Sequence, residues 1–290
     1  MKTLFEKQIN PDLCLGYVHI PKCAGTYIKE KMSMVAEKAN LYEYDYSFHE
    51  PVETIKGYRT GSRLSLQGAI SIADLSEQEK VRHLFLVSVR DVYEWYDSWF
   101  YYKKNFKERS NKNLMQPLTP LYHELGDYEK ALENSLSDEW IKKISFSVLQ
   151  NKFCPATWMR TFDVGFYTAW FLYMTADHFH VFSNPQLFKG DKLVENFRKT
   201  REDFPGMIFN SKDTDKYLSY AIKDIFGLDY SRYSNYLVEN DRKTNYEKGY
   251  LKCSQILKNN DKLRKKFLWK ERLMISLVNQ TNGLNAKGEK

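Results

Sequence analysis

The chain has no long apolar run and few cysteines, and each shortage excludes a class of protein. No stretch of the 290 residues approaches the ~18 consecutive apolar residues that a membrane-spanning helix needs. The four cysteines lie far apart, so they form no zinc-binding pattern and indicate a reducing compartment rather than a disulfide scaffold. The N-terminal segment 1–6 is charged where a signal peptide needs its apolar region. We therefore expect a cytoplasmic protein of the bacterial type.

Apolar and aromatic residues, in contrast, are plentiful. The chain is 42% hydrophobic and 16% aromatic, which is enough at this length to bury a core. No internal repeat or low-complexity segment interrupts it, so we expect one α/β domain over residues 1–290. The net charge of +7 is concentrated in the last third, notably over 258–270. Such a run on a terminal helix is most often a solvated face, and it can also steer anions towards a site.

The segment from residue 13 to 38 predicts a strand, a tight turn and a helix. Residues 13–20 form an apolar, β-branched run, and apolar residues recur at helical spacing over 26–38. Lys22 and the N–H groups of Cys23 to Thr26 then lie at a helix N-terminus, where unpaired donors and the helix dipole bind anions. The loop lacks the G-x-x-x-x-G-K-[ST] pattern of nucleoside triphosphatases, since its lysine precedes Gly25. It therefore predicts a phosphate or sulfate cradle outside the ATP-hydrolysing families.

A second strand and helix follow the same plan. The apolar strand 84–89 leads into Arg90 and Asp91 and then into an aromatic-rich helix over 91–105. Ser98 lies eight residues after Arg90, a little over two helical turns on. A guanidinium and a hydroxyl placed in this way can bind one anion together. Two anion sites on successive turns suit a ligand with two separated phosphates.

At these two motifs the chain resembles the sulfotransferases that use 3′-phosphoadenosine 5′-phosphosulfate, and their carbohydrate-type branch above all. The family's I-P-K-T-A/G-G-T signature is similar to Ile20 to Thr26, with Cys23 in place of threonine. Its R-D/N-P signature, with a serine eight residues after the arginine, is similar to Arg90 and Asp91, with Val92 in place of proline. A weaker resemblance over 240–250 concerns the basic loop before the last helix.

The resemblance implies a fold and a reaction. The expected fold is a P-loop-like three-layer fold, with a central parallel sheet flanked by helices. A helical insertion is expected over about 106–160, and a basic C-terminal helix over about 261–280. The implied reaction moves the sulfuryl group from 3′-phosphoadenosine 5′-phosphosulfate to a hydroxyl, or alternatively an amine, of a small molecule or carbohydrate. The product is then 3′-phosphoadenosine 5′-phosphate.

The resemblance also implies roles for single residues. Lys22 neutralises the leaving oxygen, and Arg90 with Ser98 holds the 3′-phosphate. The expected cofactor contacts are Lys22, Cys23, Ala24, Gly25, Thr26, Tyr27, Arg90, Ser98, Arg242 and Lys243. No metal is expected, because no Asp, Glu or His cluster has ligand spacing. Nucleic acid and membrane are not expected as partners, and the oligomeric state is open.

The catalytic base is less well marked. Relatives carry a Gly-His pair about twenty residues before the R-D motif, but this chain has Gly68-Ala69 there. We therefore predict His49 or Glu50 as the base, with His123, Glu124 and His19 as further candidates. Two other functions stay open: a small-molecule kinase, and an inactive relative that only binds the nucleotide.

The remaining pattern predicts further elements. These are helical patterns over 127–136 and 138–150, a helix over 162–177, a strand over 178–183, and helices over 190–200 and 213–226. The spacing of Trp95 and Trp99 puts both on one face of their helix, and we expect that face to be buried. A strand–helix alternation of this kind predicts a parallel sheet, with ligands at the carboxyl ends of its strands.

Overall fold

The computed structural model describes residues 14–18, 20, 22–38, 64–65, 83–106, 128–137, 155–176, 178–202, 206–234 and 251–287. These residues are mostly helical and include a small parallel sheet, an α/β arrangement. They divide into two compact units. The sheet unit comprises Met1–Val89 and Asp203–Asp241, and the helical unit comprises Arg90–Glu202 and Arg242–Lys290. The single domain expected over 1–290 stays a prediction.

The strands are β1 (Cys14–Val18), β2 (Leu64–Ser65), β3 (His83–Val89) and β4 (Gly206–Asn210). The helices are α1 (Gly25–Lys38), α2 (Val92–Phe106), α3 (Tyr128–Ser135), α4 (Pro155–Phe162), α5 (Phe166–Thr175), α6 (His178–Ser183), α7 (Lys192–Glu202), α8 (Thr214–Phe226), α9 (Ser231–Ser234), α10 (Cys253–Asn259), α11 (Asp261–Lys270) and α12 (Arg272–Lys287). Short 3-10 helices lie at Pro185–Phe188 and Ser211–Asp213.

The sheet has the order β2-β1-β3-β4, and each pair of neighbours is parallel. Val18 at the end of β1 pairs with Val87 of β3, so these two strands end side by side. The predicted strands over 13–20 and 84–89 are confirmed, as is the helix predicted over 26–38. Because the strands are parallel, the turns that follow β1 and β3 leave the same edge of the sheet.

The core of the sheet unit lies between the sheet and the helices α1 and α8. Alternate strand residues turn towards these helices because side chains of a strand point to opposite faces in turn. The cluster includes Leu15, Tyr17, Leu84, Leu86, Met207 and Phe209 from the strands, with Ile28, Met32, Leu218 and Ile222 from the helices. Full burial of such an apolar side chain contributes about 1.5–3 kcal/mol.

The core of the helical unit is built from aromatic rings. Trp95 stacks on Trp99 at 5.2 Å between ring centroids and on Tyr167 at 4.4 Å. Both tryptophans are buried, so the prediction that they share a buried face of their helix is confirmed. Aromatic pairs of this kind add about 0.5–1.5 kcal/mol to the gain from burial alone.

A fully buried carboxylate connects the C-terminal helices of this unit to α5. Glu271, at the break between α11 and α12, accepts hydrogen bonds from the Tyr96 hydroxyl (2.6 Å) and from the backbone N–H groups of Tyr167 and Thr168 (3.0 Å each). The Thr168 hydroxyl donates a fourth bond at 2.6 Å. Burial raises the pKa of Glu271, although these donors act in the opposite direction. The carboxylate thereby supplies the N-terminal cap of α5.

Gly165 occupies the N-cap position of α5 and offers no side chain for capping. A Cβ atom added at Gly165 would lie 2.0 Å from Oε1 of Glu271, well inside van der Waals contact. Only glycine leaves the carboxylate enough space to reach the first turn of α5.

The strand predicted over 178–183 is wrong, because these residues form the helix α6, and so His178 and His180 are not strand positions. The alternation of polar and apolar residues over six positions is too short to separate a strand from a helix. Tertiary packing decides the conformation. Phe182 lies 4.8 Å from the ring of Trp158 and 5.3 Å from that of Phe162.

Two predicted helices are interrupted, and two strands, β2 and β4, were not predicted. The helix predicted over 162–177 is divided, because Asp163 adopts a left-handed φ of 53° between α4 and α5. The basic helix predicted over 261–280 is likewise divided at Glu271. The position beside β3 in the sheet is taken by β4, a five-residue strand too short to stand out in the sequence. The helices predicted over 127–136, 190–200 and 213–226 are confirmed.

Candidate functional site

The turn between β1 and α1 has an unusual backbone. Lys22 and Ala24 adopt positive φ angles of 68° and 62°, and Cys23 between them does not. Left-handed residues in a turn of this kind are typical of concave anion-binding nests. Left-handed conformations cost non-glycine residues energy and tend to be kept at functional sites.

The backbone of Cys23 anchors this turn to the strands by hydrogen bonds. Its N–H donates to the carbonyl of Ile20 at 3.2 Å, and its own carbonyl accepts a hydrogen bond from the Ser88 hydroxyl of β3. The Tyr17 hydroxyl donates to the same carbonyl at 3.5 Å and lies 3.1 Å from the Ser88 hydroxyl. All three side chains are buried, and burial raises the pKa of Tyr17 far above its ordinary value. Sequence reasoning missed Tyr17 and Ser88, whose contact joins strands 71 residues apart.

The N-terminus of α1 is electrostatically suited to an anion. Its first helical hydrogen bond runs from the Ile28 N–H to the Ala24 carbonyl at 3.0 Å, so the N–H groups of the first turn have no acceptor within the helix. No acidic residue lies in that turn. The partial positive charge of the helix end is therefore not answered by a carboxylate of its own first turn. Lys22 is partly exposed beside it.

Cys23 was predicted as a cofactor contact, but its polar groups are used within the protein and its thiol is fully buried. The expected cofactor contacts of Lys22, Cys23, Ala24, Gly25 and Thr26 stay predictions. The side chain of Thr26 lies outside the part of the chain that the structure describes.

Tyr27, another predicted contact, is held by a carboxylate of α8. Its hydroxyl lies 3.0 and 2.8 Å from the two carboxylate oxygens of Asp215, and Tyr230 donates to the same carboxylate at 2.7 Å. Burial, followed by the hydrogen bond to Asp215, raises the pKa of Tyr27. Nothing in the sequence marks this group, because Asp215 follows Tyr27 by 188 positions.

The turn that carries Arg90 belongs to the helical unit and is built differently. One carboxylate oxygen of Asp91 accepts from the N–H groups of Tyr93 (3.0 Å) and Glu94 (3.1 Å), so Asp91 caps α2. Nε of Arg90 lies 3.2 Å from the Glu94 carboxylate, and the Arg90 side chain is 30% exposed. The backbone N–H of Arg90 donates to the Tyr167 hydroxyl at 2.8 Å.

Ser98, the other predicted ligand of the 3′-phosphate, lies on α2 and is 4% exposed. Asp97, which directly precedes Ser98, accepts hydrogen bonds from the N–H of Cys253 (2.7 Å) and from the Tyr128 hydroxyl (2.8 Å). Asp97 thus caps α10, and burial raises its pKa.

Several predicted site residues lie outside the described part of the chain. They are His49, Glu50, Arg242, Lys243, His19, His123, Glu124 and the Gly68-Ala69 pair. Their assignments, and the predicted helical pattern over 138–150, stay predictions.

Among the described residues no group of three or more His, Cys, Asp or Glu side chains could hold a metal ion. Within the same ranges no helix is long and apolar enough to cross a membrane. The chain matches no protein-family model, and a search of the curated proteins finds no match either.

Proposed function

We propose that the chain is a sulfotransferase that uses 3′-phosphoadenosine 5′-phosphosulfate. The observation that carries the proposal is the turn from Lys22 to Gly25. It lies at the carboxyl end of a strand in a parallel sheet, has the backbone of an anion nest and opens a helix with no acidic residue in its first turn. The P-loop-like three-layer fold within one domain forms part of the same proposal.

In this proposal the turn binds the 5′ end of the cofactor. Lys22 neutralises the charge that grows on the bridging oxygen as its bond to sulfur breaks. The N–H groups of Gly25 and Thr26 hold the phosphate oxygens. Transfer of a sulfuryl group resembles phosphoryl transfer, in which charge neutralisation and in-line positioning account for most of the catalysis. Loss of one such donor costs about 100- to 1,000-fold in rate.

The acceptor is a hydroxyl, or alternatively an amine, of a small molecule or a carbohydrate. As the new bond from its oxygen to sulfur forms, its proton passes to a base, for which His49 and Glu50 are the predicted residues. Arg90, Ser98, Arg242 and Lys243 remain predicted ligands of the 3′-phosphate. Arg90 carries the strongest of these predictions, because a guanidinium binds phosphate through two parallel hydrogen bonds.

Isothermal titration calorimetry tests the cofactor assignment. We expect micromolar binding of 3′-phosphoadenosine 5′-phosphate, much weaker binding of 5′-AMP, and a loss of about 2 kcal/mol in binding when Arg90→Ala removes the grip on the 3′-phosphate. Equal binding of the two nucleotides, or tighter binding of ATP, would replace the proposal with a kinase-like function. Binding of 3′-phosphoadenosine 5′-phosphate without turnover of any acceptor would leave an inactive relative.

A pair of lysine variants tests the role of the turn. Lys22→Ala is expected to lower the rate of sulfuryl transfer by about 100- to 1,000-fold. The matched control is Lys216→Ala, because Lys216 is an exposed lysine on α8 of the same unit. The same assay on His49→Ala and Glu50→Ala tests the base, which typically contributes about 100- to 10,000-fold. If neither variant loses rate, the base lies elsewhere.

A further inference from the structure

The helix α11 concentrates the positive charge of the chain. Between residues 258 and 272 there are seven basic and two acidic side chains. Of the two acids, Glu271 is buried and caps α5. Asp261 forms exposed ion pairs with Arg264 (2.6 Å) and Lys265 (2.9 Å). Lys262 and Lys265 are exposed and Lys266 is partly exposed, and the three lie near each other on the helix surface.

Two large apolar side chains stand among these lysines. Leu268 is 37% exposed and Trp269 is 40% exposed, while Leu263 and Phe267 on the opposite side of the same helix are buried. Leu268 follows Lys265 by three positions and Trp269 follows it by four, so all three are neighbours on the helix surface. Leu268 and Trp269 add exposed apolar surface next to the lysines, and contiguous apolar surface rimmed by polar residues is typical of an interaction site.

The indole of Trp269 has polar partners within the protein. Its N–H donates to Asp163 at 2.7 Å, and the Arg272 guanidinium lies 4.2 Å from the ring centroid. Because the N–H is already satisfied inside the protein, the exposed ring can enter an apolar medium without losing a hydrogen bond to water. Arg272 also donates to the carbonyl of Gly190 at 2.9 Å, three residues after Leu187, which is 39% exposed.

We propose that this surface (Lys262, Lys265, Lys266, Leu268 and Trp269) docks on the headgroup region of an anionic phospholipid bilayer. Each basic side chain near an anionic lipid surface contributes about 1 kcal/mol of attraction, and tryptophan favours the membrane interface. A soluble polyanion such as a sulfated glycan or a nucleic acid would pair with the lysines but would leave Leu268 in water. The sequence alone predicted a solvated face and no membrane partner; the exposure of Leu268 and Trp269 is what changes that expectation. The proposal does not rest on the proposed enzymatic function.

Flotation of the full chain with lipid vesicles tests this inference. We expect binding to phosphatidylcholine vesicles that contain about 30% phosphatidylserine, and little binding to phosphatidylcholine alone. The triple change Lys262→Gln, Lys265→Gln and Lys266→Gln should weaken binding by about 100-fold, at about fivefold per lysine. The matched charge control changes three exposed lysines of the sheet unit, namely Lys212→Gln, Lys216→Gln and Lys223→Gln.

The apolar contribution is tested separately. Leu268→Ser should weaken vesicle binding by about fivefold, whereas Leu251→Ser, at an exposed leucine outside the surface, should not. Equal binding to both kinds of vesicle, or no binding to either, would overturn the proposal. So would displacement by heparin or single-stranded DNA combined with indifference to Leu268→Ser, since the surface would then be a site for soluble polyanions.

Discussion

The two strand-to-helix turns that the sequence marks as anion sites are built in opposite ways. The turn at Lys22 is shaped by its backbone: two residues have positive φ, and a carbonyl is anchored by the buried hydroxyl of Ser88. The turn at Arg90 is shaped by charged side chains, because Asp91 caps α2 and Glu94 pairs with Arg90. The first turn has no acidic residue at the start of its helix, whereas the second places the Asp91 carboxylate there.

The arrangement at Arg90 is repeated at other helices of the helical unit. In the helical unit three helix N-termini receive a carboxylate: α2 from Asp91, α10 from Asp97 and α5 from Glu271. In the sheet unit α1 has no acidic residue in its first turn. A helix end without a carboxylate keeps its attraction for an anion, which is consistent with the anion site proposed at α1. A similar pair of motifs in sequence can therefore conceal two different electrostatic environments.

The largest effect is expected where a carboxylate cap is removed from the buried interior. Glu271→Ala leaves the N–H groups of Tyr167 and Thr168 and the Tyr96 hydroxyl without their acceptor, which should lower the free energy of unfolding by about 3–5 kcal/mol. Tryptophan fluorescence in a denaturant titration reports this unit selectively, because all six tryptophans lie in its ranges. A loss below about 1 kcal/mol would mean that water replaces the carboxylate.

The pH dependence of the same residue follows from its raised pKa. The folded protein holds a proton on Glu271 at pH values where the unfolded chain has released it. Stability from this group is therefore complete below its ordinary pKa of 4.5 and falls as the pH rises towards the higher folded value. Glu271→Gln cannot ionise, so the free energy of unfolding of this variant should decline less than that of the wild type across this window.

A smaller effect is expected at the anchor of the open turn. Ser88→Ala removes one hydrogen bond to the buried Cys23 carbonyl, which still accepts from the Tyr17 hydroxyl at 3.5 Å, so the expected cost is about 1–2 kcal/mol. Hydrogen exchange of peptides from β1 and β3 should show faster exchange, whereas tryptophan fluorescence of the helical unit should change little. Ser88→Thr keeps the hydroxyl and serves as the control. Identical exchange in the alanine variant would show that the turn is held by its backbone alone.

The Asp91 cap of α2 should contribute less to the free energy of unfolding than Glu271 or Ser88 does. Asp91→Ala removes the acceptor of two N–H groups at the start of α2 and should cost about 1 kcal/mol, whereas Asp91→Asn should retain most of the cap. Chemical denaturation followed by tryptophan fluorescence measures both. An alanine variant as stable as the wild type would remove the contrast between the two turns.

The smallest change is expected at Glu94. The Glu94 carboxylate forms an ion pair with the Arg90 guanidinium and competes with a phosphate for it. Glu94→Gln should therefore raise the affinity for 3′-phosphoadenosine 5′-phosphate by up to about fivefold. The pair is partly exposed, so the gain should shrink in high salt. Calorimetric titrations at two salt concentrations measure this effect. A fall in affinity would show that Glu94 orients Arg90 for the ligand instead of competing with it.

Local pattern was enough to predict part of this architecture. The strand, turn and helix around Lys22 were predicted because the change from an apolar run to helical spacing is visible within a few residues. The contacts that shape the turns were not, because Ser88 meets Cys23 across 65 positions and Glu271 meets Thr168 across 103. A glutamate in a basic segment looks solvent-exposed in sequence, and only tertiary packing shows that it is buried. The strand predicted over 178–183 failed for the same reason, since ring packing of Phe182 decides its conformation.

The cap that Glu271 provides for α5 can form only after most of the chain has been synthesised. The N–H group of Tyr167 leaves the ribosome 104 residues before the carboxylate that will bind it, an interval of about 5–20 s at ordinary rates of translation. During that time α5, whose sequence FYTAWFLYMT is almost entirely apolar, has its first turn capped only by water. The nascent helical unit is therefore a natural client for chaperones. Truncations that end before residue 271 should accumulate as aggregates rather than as smaller folded proteins.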